Sequence, residues 1–210
     1  VEKVRPIVGD TDAIGFTNPT GGSRVTYATG TAVVQAAEDV VGQLRQRAAM
    51  IWEVDADGVV WEDGQARPAS TNVGEFEPLS LAQIAAMAGK TGGPISGRAS
   101  LTASGQAPGF GTHICDVEVD RETGLVTVLR YTVVQDAGCA IHPGYVEGQM
   151  QGGSVQGIGW ALNEEYVYDD DGRLQNPGFL DYRMPVTSDL PMIDTVIIEV
   201  PNPNHPFGVK

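Results

Sequence analysis

Two stretches of this 210-residue chain gather the groups that handle anions and flat heterocycles. In Gly21-Gly22-Ser23-Arg24-Val25-Thr26, with Thr20, Thr29 and Thr31 beside it, hydroxyls and a guanidinium fork sit among glycines that let a backbone approach a ligand. A predicted helix follows, and the partial positive charge at its N-terminus suits a phosphate. In the second stretch, Asp136-Ala137-Gly138-Cys139-Ala140-Ile141-His142-Pro143, a strand turns into another helix. Gln149 and Gln156 follow on nearly one face of that helix, and an amide that both donates and accepts reads a heterocycle edge well. Each stretch also has a plainer reading. The first is then a polar loop whose Ser and Thr cap a helix, the second a packing helix with Gln on its wet side. Neither is a common nucleotide loop, since Gly-x-x-x-x-Gly-Lys and a strand-linked Gly-x-Gly-x-x-Gly are both absent.

Other chemistries are poorly served. His113, His142 and His205 are far apart, and Cys115 and Cys139 form no Cys-x-x-Cys, so no local zinc or iron–sulfur site is expected. No Gly-x-Ser-x-Gly elbow is present. Glu164-Glu165 and Asp169 to Asp171 read as a solvated helix end and a turn. A formal charge of −14 without a basic stripe argues against nucleic acid and against anionic membrane surfaces. No apolar run approaches the ~20 residues that span a bilayer. Two cysteines suit a reduced, cytoplasmic setting, with a periplasmic one as the alternative.

The elements that must position these residues follow from periodicity and turn chemistry. Hydrophobic residues at 41% and charged residues at 19% are ordinary for a folded chain. Residues 1–29 read as strand and loop. A helix is predicted from Gly30, with Val33, Ala36, Ala37, Val40, Val41, Leu44 and Ala48 on its apolar stripe and Thr29 or Thr31 as N-cap. A hairpin is predicted from Trp52–Val54 and Val59–Trp61, turned at 55–58, then a helix over 79–88 started by Ser80 and a Gly-rich loop over 90–94. Ile114 to Val134 reads as two strands around Asp120-Arg121-Glu122-Thr123-Gly124. Cys115, Val117 and Val119 are expected on a buried face, Asp116 and Glu118 on a wet one. A third helix, about 145–165, carries Gly148, Gly152, Gly153, Gly157 and Gly159. Each glycine costs a helix roughly 1 kcal/mol against Ala, so close approach by another backbone or a ligand is the physical reason for them. A last strand is predicted over 192–200, and all 210 residues are expected to form one α+β domain.

Several motifs in serial order resemble the molybdenum-binding large subunit of the xanthine dehydrogenase, aldehyde oxidoreductase and carbon monoxide dehydrogenase family. They are Gly9-Asp10-Thr11-Asp12 with Gly22-Ser23-Arg24; Asp136-Ala137-Gly138 through Gln149; Gly152-Gly153 and Gln156-Gly157-Ile158-Gly159; Phe179 to Pro185; and Asn202 to Lys210. Val25 stands where a small hydroxyl residue is frequent in that family, and His142 where Asn precedes the Pro. The resemblance implies an α+β molybdopterin-binding domain with mixed sheets and a long Gly-rich helix. It implies molybdopterin with its molybdenum, in the cytosine dinucleotide form. Gly22, Ser23, Arg24 and Thr26 would lie along phosphate and pterin. Cys139, Ala140, His142 and Pro143 would hold the nucleotide end, and Gln149 would hydrogen-bond the pterin near the metal. No metal ligand is expected from this chain. The family's catalytic Glu, in Gly-Val-Gly-Glu, would follow directly after Lys210. The sequence therefore reads as a fragment of the large subunit, without a catalytic residue and inactive alone. The rest of that subunit, an iron–sulfur subunit and a flavin subunit carrying FAD are the implied partners. The implied reaction hydroxylates or oxidises a heterocycle, an aldehyde or a similar small molecule with oxygen from water. A non-enzymatic assembly or scaffold domain derived from the family is the alternative.

Overall fold

Leu44, Ala48 and Ala49 stack on one face of the first helix, α1 (Arg24–Trp52), and bury against Val59, Ala66 and Ile84. This is the core of the first of two units in the computed structural model, Val1–Ala103 and Ser104–Lys210; residues 4–12, 15–102 and 107–210 are described. α1 starts six residues before the predicted Gly30, which lies inside it. The residues flanking Gly30 propagate the helix through that weak point. Neither predicted threonine caps it: the N-cap is Ser23, and Thr31 Oγ1 donates to the Tyr27 carbonyl at 2.6 Å. Of the predicted apolar stripe only Leu44 and Ala48 are buried, while Val33 is 63% exposed.

The predicted hairpin is displaced. Trp52 ends α1, Glu53 closes the helix in the left-handed region, and 55–58 holds a short 3-10 turn, Ala56–Gly58. The hairpin is instead β1 (Val59–Glu62) with β2 (Gln65–Pro68), turned at Asp63-Gly64 with φ of 51° and 75°. Asp-Gly suits that two-residue turn because both positions need positive φ. β3 (Leu79–Ser80) extends the sheet beside β2. Ser80 starts α2 (Leu81–Ala86) as predicted, through a capping box: its Oγ accepts from Gln83 N at 3.3 Å and its own N–H donates to Gln83 Oε1 at 2.9 Å. The helix breaks at Met87, and α3 (Ala88–Thr91) takes in the start of the predicted Gly-rich loop.

In the second unit, β4 (Gly111–Val119) runs antiparallel to β5 (Val126–Asp136), joined by the predicted Asp120–Gly124 turn. Asp120 Oδ1 accepts from Glu122 N at 2.8 Å there, and Leu125 O accepts from Asp120 N. β6 (Ile193–Ile198) pairs with β5 in parallel, so the sheet is mixed with β5 in the middle. α4 (Pro143–Leu162) packs Met150 against Val133 and Ile193, with Val146 and Val155 beside them. β4 has no buried residue, which corrects the expected buried face of Cys115, Val117 and Val119. Alternation states that two faces differ, but burial needs a packed neighbour, and α4 lies over β5 and β6. The α+β class with mixed sheets and a long Gly-rich helix is borne out. Among the described residues no helix is long and apolar enough to cross a membrane.

Beyond α4 the chain folds back. Glu164 accepts from Tyr182 OH at 2.7 Å, and Tyr166 stacks on Tyr182 at 5.1 Å between ring centroids. Gly159 is buried here: a Cβ on it would meet Glu164 Oε1 and stand 2.8 Å from the Pro185 ring. Gly148, Gly152, Gly153 and Gly157 are different, because a Cβ on any of them would meet no atom within 4 Å. Gly159→Ala is therefore expected to lower stability by about 1–3 kcal/mol through overpacking. Gly153→Ala, on the open side, is expected to raise it by up to about 1 kcal/mol. Denaturant unfolding checks both, and equal effects at the two positions would refute the packing difference. The hydrogen bond to Glu164 pushes the Tyr182 phenol up to about 12, with burial adding to it. The protonated phenol thus contributes stability below its ordinary value of 10.0, and that contribution is lost as pH rises through about 12. A difference absorbance titration is expected to show one tyrosine ionising about two pH units late, and Tyr182→Phe to remove that phase.

Candidate functional site

Gly22 and Ser23 both take left-handed backbone, with φ of 63° and 58°, and so deliver the chain into α1 without a side-chain cap. Ser23 and Thr26 are exposed, as is Gly22, and Arg24 is half-buried. Arg24 Nη1 donates to the Asn18 carbonyl at 3.3 Å, which steadies the guanidinium at the helix start. A Cβ on Gly21, Gly22 or Gly30 would meet nothing within 4 Å. No acidic residue lies in the first turn of α1. The loop predicted from sequence is thus an open, glycine-flanked helix N-terminus carrying hydroxyls and one cation.

The second predicted group is held differently. Cys139 N donates to Gly208 O at 2.9 Å, and Ala140 N donates to Glu199 Oε1 at 2.7 Å, so the chain itself uses both N–H groups. His142 is the N-cap of α4: its Nδ1 accepts from Tyr145 N at 3.2 Å, where an Asn oxygen would serve equally, and its ring stacks on Tyr145 at 3.9 Å. Pro143 occupies N1, where its missing N–H costs nothing. Gln149 and Gln156 are both exposed, on the side of α4 away from Met150, Ser154 and Ile158. Gly152 and Gly153 lie between them, and Tyr145 and Trp160 stand at 74% and 67% exposure. Amides, aromatic faces and bare backbone on one helix face suit a flat, polar-edged ring. Among the predicted residues, Cys139, Ala140, His142 and Pro143 form one turn with Gln149 on the helix it starts. Gly22, Ser23, Arg24 and Thr26 form a loop in the other unit.

What fastens the turn is not legible in the local sequence. Asp136, at the end of β5, accepts from Gly138 N at 3.0 Å and Val200 N at 3.2 Å on Oδ1, and pairs with Lys210 Nζ through Oδ2. Hydrogen bonds from Lys210 and then from the Gly138 N–H hold its carboxyl below the ordinary aspartate value, although burial opposes them. His205 is buried in a turn, and its Nδ1 accepts from Phe207 N at 3.2 Å and Val209 N at 3.4 Å. Asn202 Nδ2 donates to Val209 O at 3.1 Å, and Asn202 Oδ1 accepts from Asn204 N at 3.0 Å. The Asn-Pro-Asn-His-Pro-Phe-Gly run was a legible turn signal, but the partner of Asp136 was not.

The fold is α+β with a mixed sheet, and comparison with known proteins supplies the family. Residues 1–191 match the molybdopterin cofactor-binding domain family. The 6-hydroxypseudooxynicotine dehydrogenase complex subunit gamma of Paenarthrobacter nicotinovorans is 31% identical over 100% of this chain and 27% of its own length. A putative xanthine dehydrogenase molybdenum-binding subunit of Escherichia coli is 37% identical over 64% of this chain and 18% of its own length. The crystal structure of a Cu,Mo-CO dehydrogenase in its carbon monoxide reduced state superposes with a TM-score of 0.77 at 25% identity, covering 96% of this chain and 26% of that one. The chain belongs to the molybdopterin cofactor-binding domain family. It spans about a quarter or less of the length of these relatives.

Acid sensitivity follows from the Asp136 cluster. A carboxyl held below its ordinary value contributes stability that is present above that value and lost as pH falls through the folded one. Asp136→Asn is expected to melt below the native protein at neutral pH and to converge with it as pH drops below about 4. A melting-temperature series against pH checks this, and a gap that stays constant down the series would contradict it.

Proposed function

We propose that this chain is the molybdopterin-holding part of a molybdenum-dependent oxidoreductase that hydroxylates or oxidises a heterocycle, an aldehyde or a similar small molecule with oxygen from water. The observation that carries the reading is the exposed face of α4, where Gln149 and Gln156 flank glycines open to an incoming ring. The donor chemistry fits the cofactor. Arg24 offers its guanidinium to a phosphate, Ser23 and Thr26 offer hydroxyls, and the first-turn N–H groups of α1 favour negative charge. Gly22 leaves room for close approach. His142 fixes the start of α4, Pro143 begins it, and Cys139 and Ala140 hold the turn that faces the nucleotide end. Gln149 donates to and accepts from the pterin edge, orienting the ring. The bound molybdenum centre supplies two-electron oxidation, while the residues named here bind and orient the cofactor.

In this reading the cofactor is the cytosine dinucleotide form. The 210 residues serve as one cofactor-binding domain. Iron–sulfur clusters and FAD sit on partner chains in a cytoplasmic enzyme. The names of the relatives, a subunit of a dehydrogenase complex and a molybdenum-binding subunit, support a multi-subunit assembly. Gln149→Ala in the full-length protein is expected to lower bound pterin or turnover by about tenfold, the scale of losing a hydrogen bond to a buried polar group. Pterin fluorescence, molybdenum analysis and steady-state kinetics check it; unchanged molybdenum and unchanged turnover would sink the role of Gln149.

A further inference from the structure

Resting on that cofactor reading, we propose that Asp136 and Lys210 are positioning residues: their ion pair sets where the Cys139–Pro143 turn stands for the nucleotide end of the cofactor. The pair is enclosed, with side chains only 9% and 10% exposed. The two carboxylate oxygens divide the work. Oδ1 takes the N–H groups of Gly138 and Val200, and Oδ2 takes the Lys210 ammonium. One side chain thereby joins the end of β5, the start of the turn and both ends of the 200–210 tail.

Every N–H at the start of the turn is then fixed to that frame. Gly138 N goes to Asp136, Cys139 N to Gly208 O and Ala140 N to Glu199. Gly138 and Gly208 have φ of 65° and 66°, left-handed backbone that favours glycine, and Gly138 bridges to Val209. A Cβ on Gly138 would meet Gly208 O and stand 2.9 Å from Lys210 N, and one on Gly208 would stand 2.8 Å from Cys139 Sγ. The path of residues 138–140 is therefore read off the tail, and the tail is moored by Lys210. A buried ion pair adds little net stability over apolar side chains of the same volume, so its consequence here is geometric.

The test uses the full-length protein with its partner subunits, comparing Asp136→Asn, Lys210→Met, the double variant and Lys210→Arg by molybdenum and pterin content per chain and by melting temperature. Either neutralising single variant is expected to lose cofactor by about tenfold, the scale for groups that orient a bound centre from behind. The double variant leaves no lone buried charge, so it is expected to melt near the native temperature yet stay as depleted. Lys210→Arg, which keeps a cation against Oδ2, is expected to hold native cofactor content. The double variant decides the matter if a single variant fails to fold. Native cofactor content in the double variant overturns the proposal and leaves the cofactor reading standing. A Lys210→Arg protein that melts like the native one but is as empty as Lys210→Met also overturns it. A native protein without molybdenum and pterin overturns the cofactor reading, and this proposal with it.

Discussion

A carboxylate removed from water must find donors for its oxygens or give up its charge. Asp136 meets that demand at the end of the central strand, and the second unit is arranged around how it does so. The N–H of Gly138 can reach Oδ1 only if the chain turns at once, in left-handed backbone, after β5. The N–H of Val200 reaches the same oxygen because β6 lies parallel to β5 and ends beside it. Lys210 completes the set from a tail that Asn202 and His205 fold back by their own turn bonds. The turn leads directly into α4, so a requirement of electrostatics in the sheet fixes where the Gly-rich helix begins.

The two helix starts are built in different ways. α4 is capped by its own His142 ring, and two N–H groups of the preceding turn are bound within the chain. That end is tied within the chain, and on the reading proposed the ligand-facing groups are the exposed Gln149 and Gln156 on the helix side. α1 has no side-chain cap, no acid in its first turn and a glycine pair in front of it. There the backbone itself is what an anion would meet. The glycines of α4 divide likewise. Gly159 is needed because Pro185 and Glu164 crowd it, whereas Gly148, Gly152, Gly153 and Gly157 leave bare backbone toward the open. On the reading proposed, that open strip is where a ring can lie flat.

Much of this was legible in the sequence wherever the deciding contact is local. The shared face of Gln149 and Gln156 follows from helical spacing, Ser80 announces the start of a helix, and Asp120 to Gly124 announces a turn. Serial motifs gave the family. The misses share a cause. α1 starts earlier than the threonines suggest because left-handed backbone at Ser23, not a threonine side chain, ends the loop. The hairpin forms one turn later than predicted, at Asp63-Gly64, which carries the stronger turn chemistry. β4 alternates in sequence, yet whether an alternating face is buried depends on which strands the helix covers. The ion pair joins residues 74 positions apart, a separation at which spacing says nothing. Long-range pairing and the choice of packing partner are the terms a single sequence withholds.

The most direct test of the account is the molybdenum and pterin content of the full-length protein purified in its native assembly. Near-stoichiometric molybdenum and pterin are expected on the chain that carries Ser23, Arg24 and Gln149, as the proposed cofactor role requires. A correctly folded chain with neither would contradict it, and would leave the open glycine face of α4 as a packing surface of a protein that binds no such cofactor.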